Sequence, residues 1–207
     1  MMTPISEDFL AIRAVVDAWI LWRDTGDWAR LAACWHPDGT MSSTRFSGSA
    51  ADFVVETRAA FERGANVQHF QCGFQCDIAG HRAISQVRMQ IRQRARVDGV
   101  EVDATCTGRF FDFFERRAGR WAIVRRQPIY EVDRLDTVMP GATLVLDEAL
   151  LNAFPHAYRH LAYLQSKNGF NVQRDLPELR GPRVEALYEE GRVWLDIVAD
   201  KGDYRAK

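Results

Sequence analysis

"GRFFDFFERRAGRWAIVRRQPIY", residues 108–130, sets the fold class. An aromatic extended run, a short charged turn at "RRAGR" and a second extended run follow one another. Glycine supplies the backbone freedom that a tight reversal needs, so the stretch reads as a β-hairpin. Alternation places Ala122, Val124, Arg126, Pro128 and Tyr130 on one face of the second strand, and Arg125, Gln127 and Ile129 on the other. An arginine among small apolar residues is costly to bury unless it is paired or faces a water-filled cavity. Arg126 is therefore assigned to a pocket, with Tyr130 following it, and Arg125 to the surface.

Upstream the same period of two continues. Four strands are expected at about 67–78, 82–95, 101–115 and 120–132, joined by "AGHR", "VDGV" and "RRAGR". In the first, Phe70, Cys72, Phe74, Cys76 and Ile78 form an apolar row, while His69 lies opposite with Val67 and Gly73. An exposed row of that size is a sizeable patch for a monomer, so it is expected to meet another subunit in a homodimer or homotrimer. The His69 face would then line a space between sheet and helices, with Met89 and Ile91 as apolar wall.

Before residue 67 the spacing is helical. Ser6 caps a helix over 6–24, with Glu7 and Asp8 at its positive end and Phe9, Ile12, Val16, Trp19 and Ile20 along one side. Gly26 ends it, and Asp27 caps a second helix through Cys34. "WHPDGTMSS" reads as a turn leading to a short extended piece, and Ser49 with Asp52 opens a third helix to about Arg63. Helices followed by an antiparallel meander make an α+β domain, with the sheet wrapped around one side of the helices. That domain is expected over residues 1–136. Residues 137–207 form a helical extension, with helices near 156–167 and 183–198, packed on the domain or a neighbouring subunit, or acting as a lid.

The 207 residues are 47% hydrophobic and 27% charged, with net charge −1. No basic stretch invites nucleic acid and no run of about 18 apolar residues invites a membrane. The first residues lack a secretion signal's order, and Cys34, Cys72, Cys76 and Cys106 are scattered, so a reducing cytoplasm is expected. No spacing suits a metal site, a phosphate-binding glycine loop or a serine elbow, so neither metal nor cofactor is expected. His36 and His81 read as loop residues, and His156 and His160 as surface or interface of the extension.

Asp24 is different. It falls in the last turn of the first helix, where the negative dipole end disfavours a carboxylate by a few tenths to ~1 kcal/mol. Either it sits in solvent in the "DTGD" turn, or it stands beneath a histidine whose tautomer it fixes and whose pKa it raises.

"AWILWRDTGDWARLAACWHPDG", "VQHFQCGFQCDI" and the hairpin quoted above together resemble the SnoaL-like branch of the nuclear transport factor 2-like superfamily, across residues 8 to 132. The resemblance implies a cone-shaped α+β barrel, with three N-terminal helices on a curved, mostly antiparallel sheet. It also implies the aspartate–histidine pair of scytalone dehydratase and hexachlorocyclohexane dehydrochlorinase, falling on Asp24 and His69, and the arginine of the latter, falling on Arg126. No histidine between Ala83 and Arg120 matches the dehydratase's second one, and Trp19 stands about where the dehydrochlorinase has a lysine.

The activity so implied is that of a cofactor-independent lyase. His69, steadied by Asp24, takes a proton while water, halide or formaldehyde leaves, and Arg126 meets the developing charge. Tyr130, Trp19, Trp22, Met89 and Ile91 would line a site for a small hydrophobic or aromatic substrate. The same dyad would serve an isomerase or a polyketide cyclase. A cone that only holds a hydrophobic ligand needs no dyad.

Overall fold

In the computed structural model, which describes residues 6–202, the chain opens with α1 (Glu7–Thr25). The Ser6 hydroxyl accepts from the Phe9 N–H at 3.1 Å, and Gly26, at φ 79°, ends the helix in the left-handed region. Asp27 caps α2 (Trp28–Ala33) and Ser49 caps α3 (Ala50–Glu62). These helices pack on a six-stranded sheet in the order β2-β1-β6-β5-β4-β3. Its strands are β1 (Trp35–Ser43), β2 (Phe46–Ser49), β3 (Asn66–Ala79), β4 (Arg82–Val97), β5 (Val100–Arg117) and β6 (Arg120–Thr137). Every pairing is antiparallel except β1 with β6. The result is a mixed α+β fold in which helices cover one face of an open, curved sheet.

Several sequence expectations change. "WHPDGTMSS" is a strand rather than a turn: β6 offers an unpaired edge, and β1 docks on it in parallel. The register slips between Trp35 and Thr40, where Pro37 has no N–H to give. His36 is consequently not a loop residue; it is buried, with its Nε2 2.8 Å from the Glu115 carbonyl oxygen.

The apolar row of β3 is broken in two. Gly73, at φ 63°, is the extra residue of a β-bulge between Cys72 and Phe74, and a one-residue insertion exchanges the faces of everything beyond it. Val67, His69 and Gln71 turn inward before the bulge, and Phe74, Cys76 and Ile78 join the core after it. Phe70 and Cys72 are left outside, so the continuous outer row from which a subunit interface was expected does not form. A second bulge, at Val124, exchanges faces on β6, so Val124 does not share a face with Arg126. Arg126, Pro128 and Tyr130 do turn inward, as the alternation predicts.

The extension serves both faces of the sheet. It carries α4 (Glu148–Asn152), α5 (Arg159–Lys167) and α6 (Pro182–Gly202). α5 starts three residues later than expected and buries Leu161, Ala162 and Leu164 in the main core. Asp133 of β6, whose side chain is inaccessible to solvent, holds its start, accepting from the Leu161 N–H and contacting His160 Nδ1, both at 2.8 Å. His160 is therefore paired, not simple surface. α6 crosses the opposite face, where Val184 and Leu187 pack with Ile84, Phe111, Phe113 and Ile129. Gly191 permits this approach, since a Cβ there would stand 2.7 Å from Phe111 Cζ. Part of the outer face is thus covered by the chain itself.

Candidate active site

The end of α1 and the start of β3 meet beneath the sheet's inner face. Asp24 is fixed by three donors: the His69 N–H at 2.5 Å, His69 Nδ1 at 2.8 Å and Arg23 Nη1 at 3.0 Å. A second Arg23 bond, to the Val67 carbonyl at 3.2 Å, ties the helix end to the strand. The acid that the dipole disfavours at a helix C-terminus is thus stabilised by a cation and two further donors.

This geometry selects one tautomer. A carboxylate only accepts, so Nδ1 carries the proton and Nε2 keeps a free lone pair. The imidazole stands edge-on to Trp19, centroids 5.6 Å apart, and tilted to Phe110 at 6.3 Å, while Trp19 and Phe110 meet each other at 5.5 Å. Burial pushes the His69 pKa below 6.5 despite the Asp24 hydrogen bond, and the nearby Arg23 and Arg126 charges push the same way. The expected upward shift is therefore reversed, because desolvation outweighs the carboxylate. Burial alone would lift the Asp24 carboxyl, but the His69 hydrogen bond and charge, with Arg23, hold it below 3.8. The pair rests as carboxylate and neutral imidazole.

His69 opens on a cavity of about 50 Å3. It is lined by the apolar and aromatic side chains of Trp19, Met41, Phe53, Ile91, Phe110 and Tyr130. Arg23, Arg45, Gln93 and Gln165 line it as well. The free volume suffices for a few waters, so an aromatic ring is admitted only when a wall moves. One wall, Leu161 and Gln165, belongs to α5 and so to the extension.

Asp24, His69, Trp19, Ile91 and Tyr130 are thus brought together as the sequence predicts. The other three residues lie elsewhere. Met89 is buried in the core beside the site, and Trp22 sits under the Arg30 guanidinium at 4.7 Å. Neither contributes to the cavity wall.

Arg126 is fully buried but not open to the cavity. Its Nε and Nη2 each donate to Asp112 at 2.7 Å, and its guanidinium lies 4.3 Å from the ring centres of both Trp19 and Phe110. Its charge is matched by a carboxylate, so it acts as a support for the two aromatic rings that pack on His69. The sequence did contain a clue in Asp112, a lone acid inside an aromatic run and opposite Arg126 in the β5–β6 register. Arg23 and Arg45, which the sequence reading passed over, are the guanidinium groups on the wall; among the described residues Arg45 has no salt-bridge partner. Among the described residues no three side chains converge as a metal site, and no helix is long and apolar enough to cross a membrane.

Residues 4–127 match the family model of the SnoaL-like domain, and the chain belongs to that family. Pea pathogenicity protein 2 of Fusarium vanettenii is 33% identical over 199 residues, covering 90% of this chain and 85% of that one. An uncharacterized protein of Emericella nidulans is 32% identical over 202 residues, covering 89% and 84%. Matches of that extent run through α5, well beyond the family segment. Among solved structures, a type 2 hexachlorocyclohexane dehydrochlorinase superposes with a TM-score of 0.54 at 12% identity, covering 68% of this chain and 95% of that one. That likeness is one of fold.

Proposed function

We propose that the chain is a cofactor-independent lyase in which His69 is the general base and Asp24 its positioning partner. The observation that carries this is the imidazole with Nδ1 committed to Asp24 at 2.8 Å, in a ring that lines a cavity with apolar and polar walls and whose Nε2 makes no hydrogen bond among the described residues. A neutral base with a depressed pKa is deprotonated and ready at pH 7. The substrate is small and hydrophobic or aromatic. His69 Nε2 removes its proton, the electron pair forms a double bond, and the leaving group departs with the bonding electrons. The leaving group is halide, or hydroxide that leaves as water with the proton returned from His69. In a retro-aldol variant His69 takes a hydroxyl proton, the oxygen's electron pair forms the C=O of the departing formaldehyde, and the C–C bonding pair stays on the substrate carbon, which is then protonated. Arg45, a lining cation without a salt-bridge partner among the described residues, is the group that meets developing negative charge, in the role expected of Arg126. That a protein of the same fold is a dehydrochlorinase agrees with elimination chemistry.

The test is a substrate screen followed by mass. A product lighter by water, acid or formaldehyde is expected, with turnover falling by about 10²–10⁴ in His69→Ala. A product of unchanged mass would make the protein an isomerase. A His69→Ala protein that folds and loses less than about tenfold would end the general-base reading.

A further inference from the structure

The cavity contains polar groups that no step of the proposed elimination uses. Gln93 of β4 and Gln165 of α5 are 7% and 4% exposed, and Gln165 Nε2 donates to Gln93 Oε1 at 2.9 Å. Gln165 Oε1 is buried and has no partner among the described residues. Two amides joined by one hydrogen bond leave one carbonyl and one NH2 edge unused, whichever way both are turned. A buried polar atom without a partner is costly, and such atoms are uncommon unless something else satisfies them. Both glutamines line the same cavity as His69. Val67 pairs with Gln93 in the β3–β4 register and His69 with Ile91, so the amides lie one inward-facing row from the base.

We propose that this amide pair is the specificity element of the site and reads a hydroxyl group on the substrate, away from the atom that His69 deprotonates. A hydroxyl both donates and accepts, so it suits the orphaned carbonyl as a donor and the free NH2 edge as an acceptor, and meets them when the wall moves to admit the ring. The substrate class is thereby narrowed to small hydroxylated rings, phenols or cyclic alcohols, in place of hydrocarbons. Gln165 comes from the extension, so the SnoaL-like domain supplies the base and Gln93 while α5 completes the reader. The proposal rests on this cavity being the binding site, and not on which bond His69 breaks.

Phenol and toluene test it, because the two rings are nearly equal in size and the cost of moving the cavity wall cancels between them. Binding is followed by the shifts of the Ile91 and Leu161 methyl resonances. The wild-type protein is expected to bind phenol about tenfold more tightly than toluene. Gln165→Met should bring the two within about twofold of each other, while His69→Ala keeps the preference. Gln93→Met repeats the test should the first variant melt early. Binding of neither ring, no preference in the wild type, or a preference that survives Gln165→Met and vanishes in His69→Ala would overturn the proposal. In that last case the hydroxyl would be meeting the imidazole. Loss of turnover in the mass screen depends on His69, so the lyase reading and this one fail separately.

Discussion

Replacing Asp24 by asparagine removes one acceptor oxygen and one charge without changing size. The carboxylate accepts from the His69 N–H, His69 Nδ1 and Arg23 Nη1, and an amide has a single oxygen to offer. If that oxygen stays toward Nδ1 and Arg23, the amide NH2 confronts the His69 N–H across 2.5 Å. If it turns over, Nδ1 must become the acceptor, the proton moves to Nε2, and the base is lost. In both cases Arg23, whose side chain is 8% exposed, loses its counter-charge. A hydrogen bond to a charged group contributes about 1.5–3 kcal/mol, and removing one member of a buried ion pair costs about 3–5 kcal/mol. Asp24 retains some solvent contact, so a loss of about 2–4 kcal/mol is expected in urea unfolding. Turnover on the substrate returned by the mass screen should fall by about 10²–10⁴. A variant within about 0.5 kcal/mol of wild type, with activity intact, would show that the three donors do not depend on the carboxylate.

Three further outcomes are expected. Since folding lowers the His69 pKa below 6.5, the unfolded chain binds the proton more readily there; stability from this residue is complete above pH 6.5 and lost as pH falls through the folded value. Urea midpoints at about pH 7.5 and about pH 5.5 should therefore separate more in wild type than in His69→Gln, and a wild type stabilised by acid would contradict this. Asp112→Ala should cost about 3–5 kcal/mol by leaving the Arg126 guanidinium buried and unpaired, whereas Asp112→Leu with Arg126→Met should recover most of it in a double-mutant cycle. Gly191→Val should cost about 1–3 kcal/mol by driving α6 off Phe111, with faster amide exchange in α6 and no change at His69.

How much of this was legible in the sequence depended on how far each determinant reaches along the chain. Ser6, Asp27 and Ser49 cap the helices they were expected to cap, because a cap is settled within three residues. Asp24 and His69 were recoverable as well, one from its dipole-disfavoured position and the resemblance, the other from its place opposite an apolar row. The bulges were not: alternation assumes an unbroken period of two, and the positive φ of Gly73 that ends it depends on pairing with β4. β1 was missed because its partner is the β6 edge, some 85 residues away. Asp112 was readable in principle, since its register partner Arg126 was already in hand. Gln165 was not, because nothing local says on which face of a distant sheet α5 will settle.

The protonation of one ring decides whether the proposed chemistry has a base. Nitrogen-15 spectra of the His69 imidazole, recorded from neutral to mildly acid pH, report it directly. At pH 7 the ring should be neutral, with the proton on Nδ1 and Nε2 bare, and it should take up its second proton only below 6.5. An imidazolium at pH 7, or a neutral ring protonated on Nε2, would contradict the proposal: the cavity would then hold a cation or a donor where it requires a lone pair.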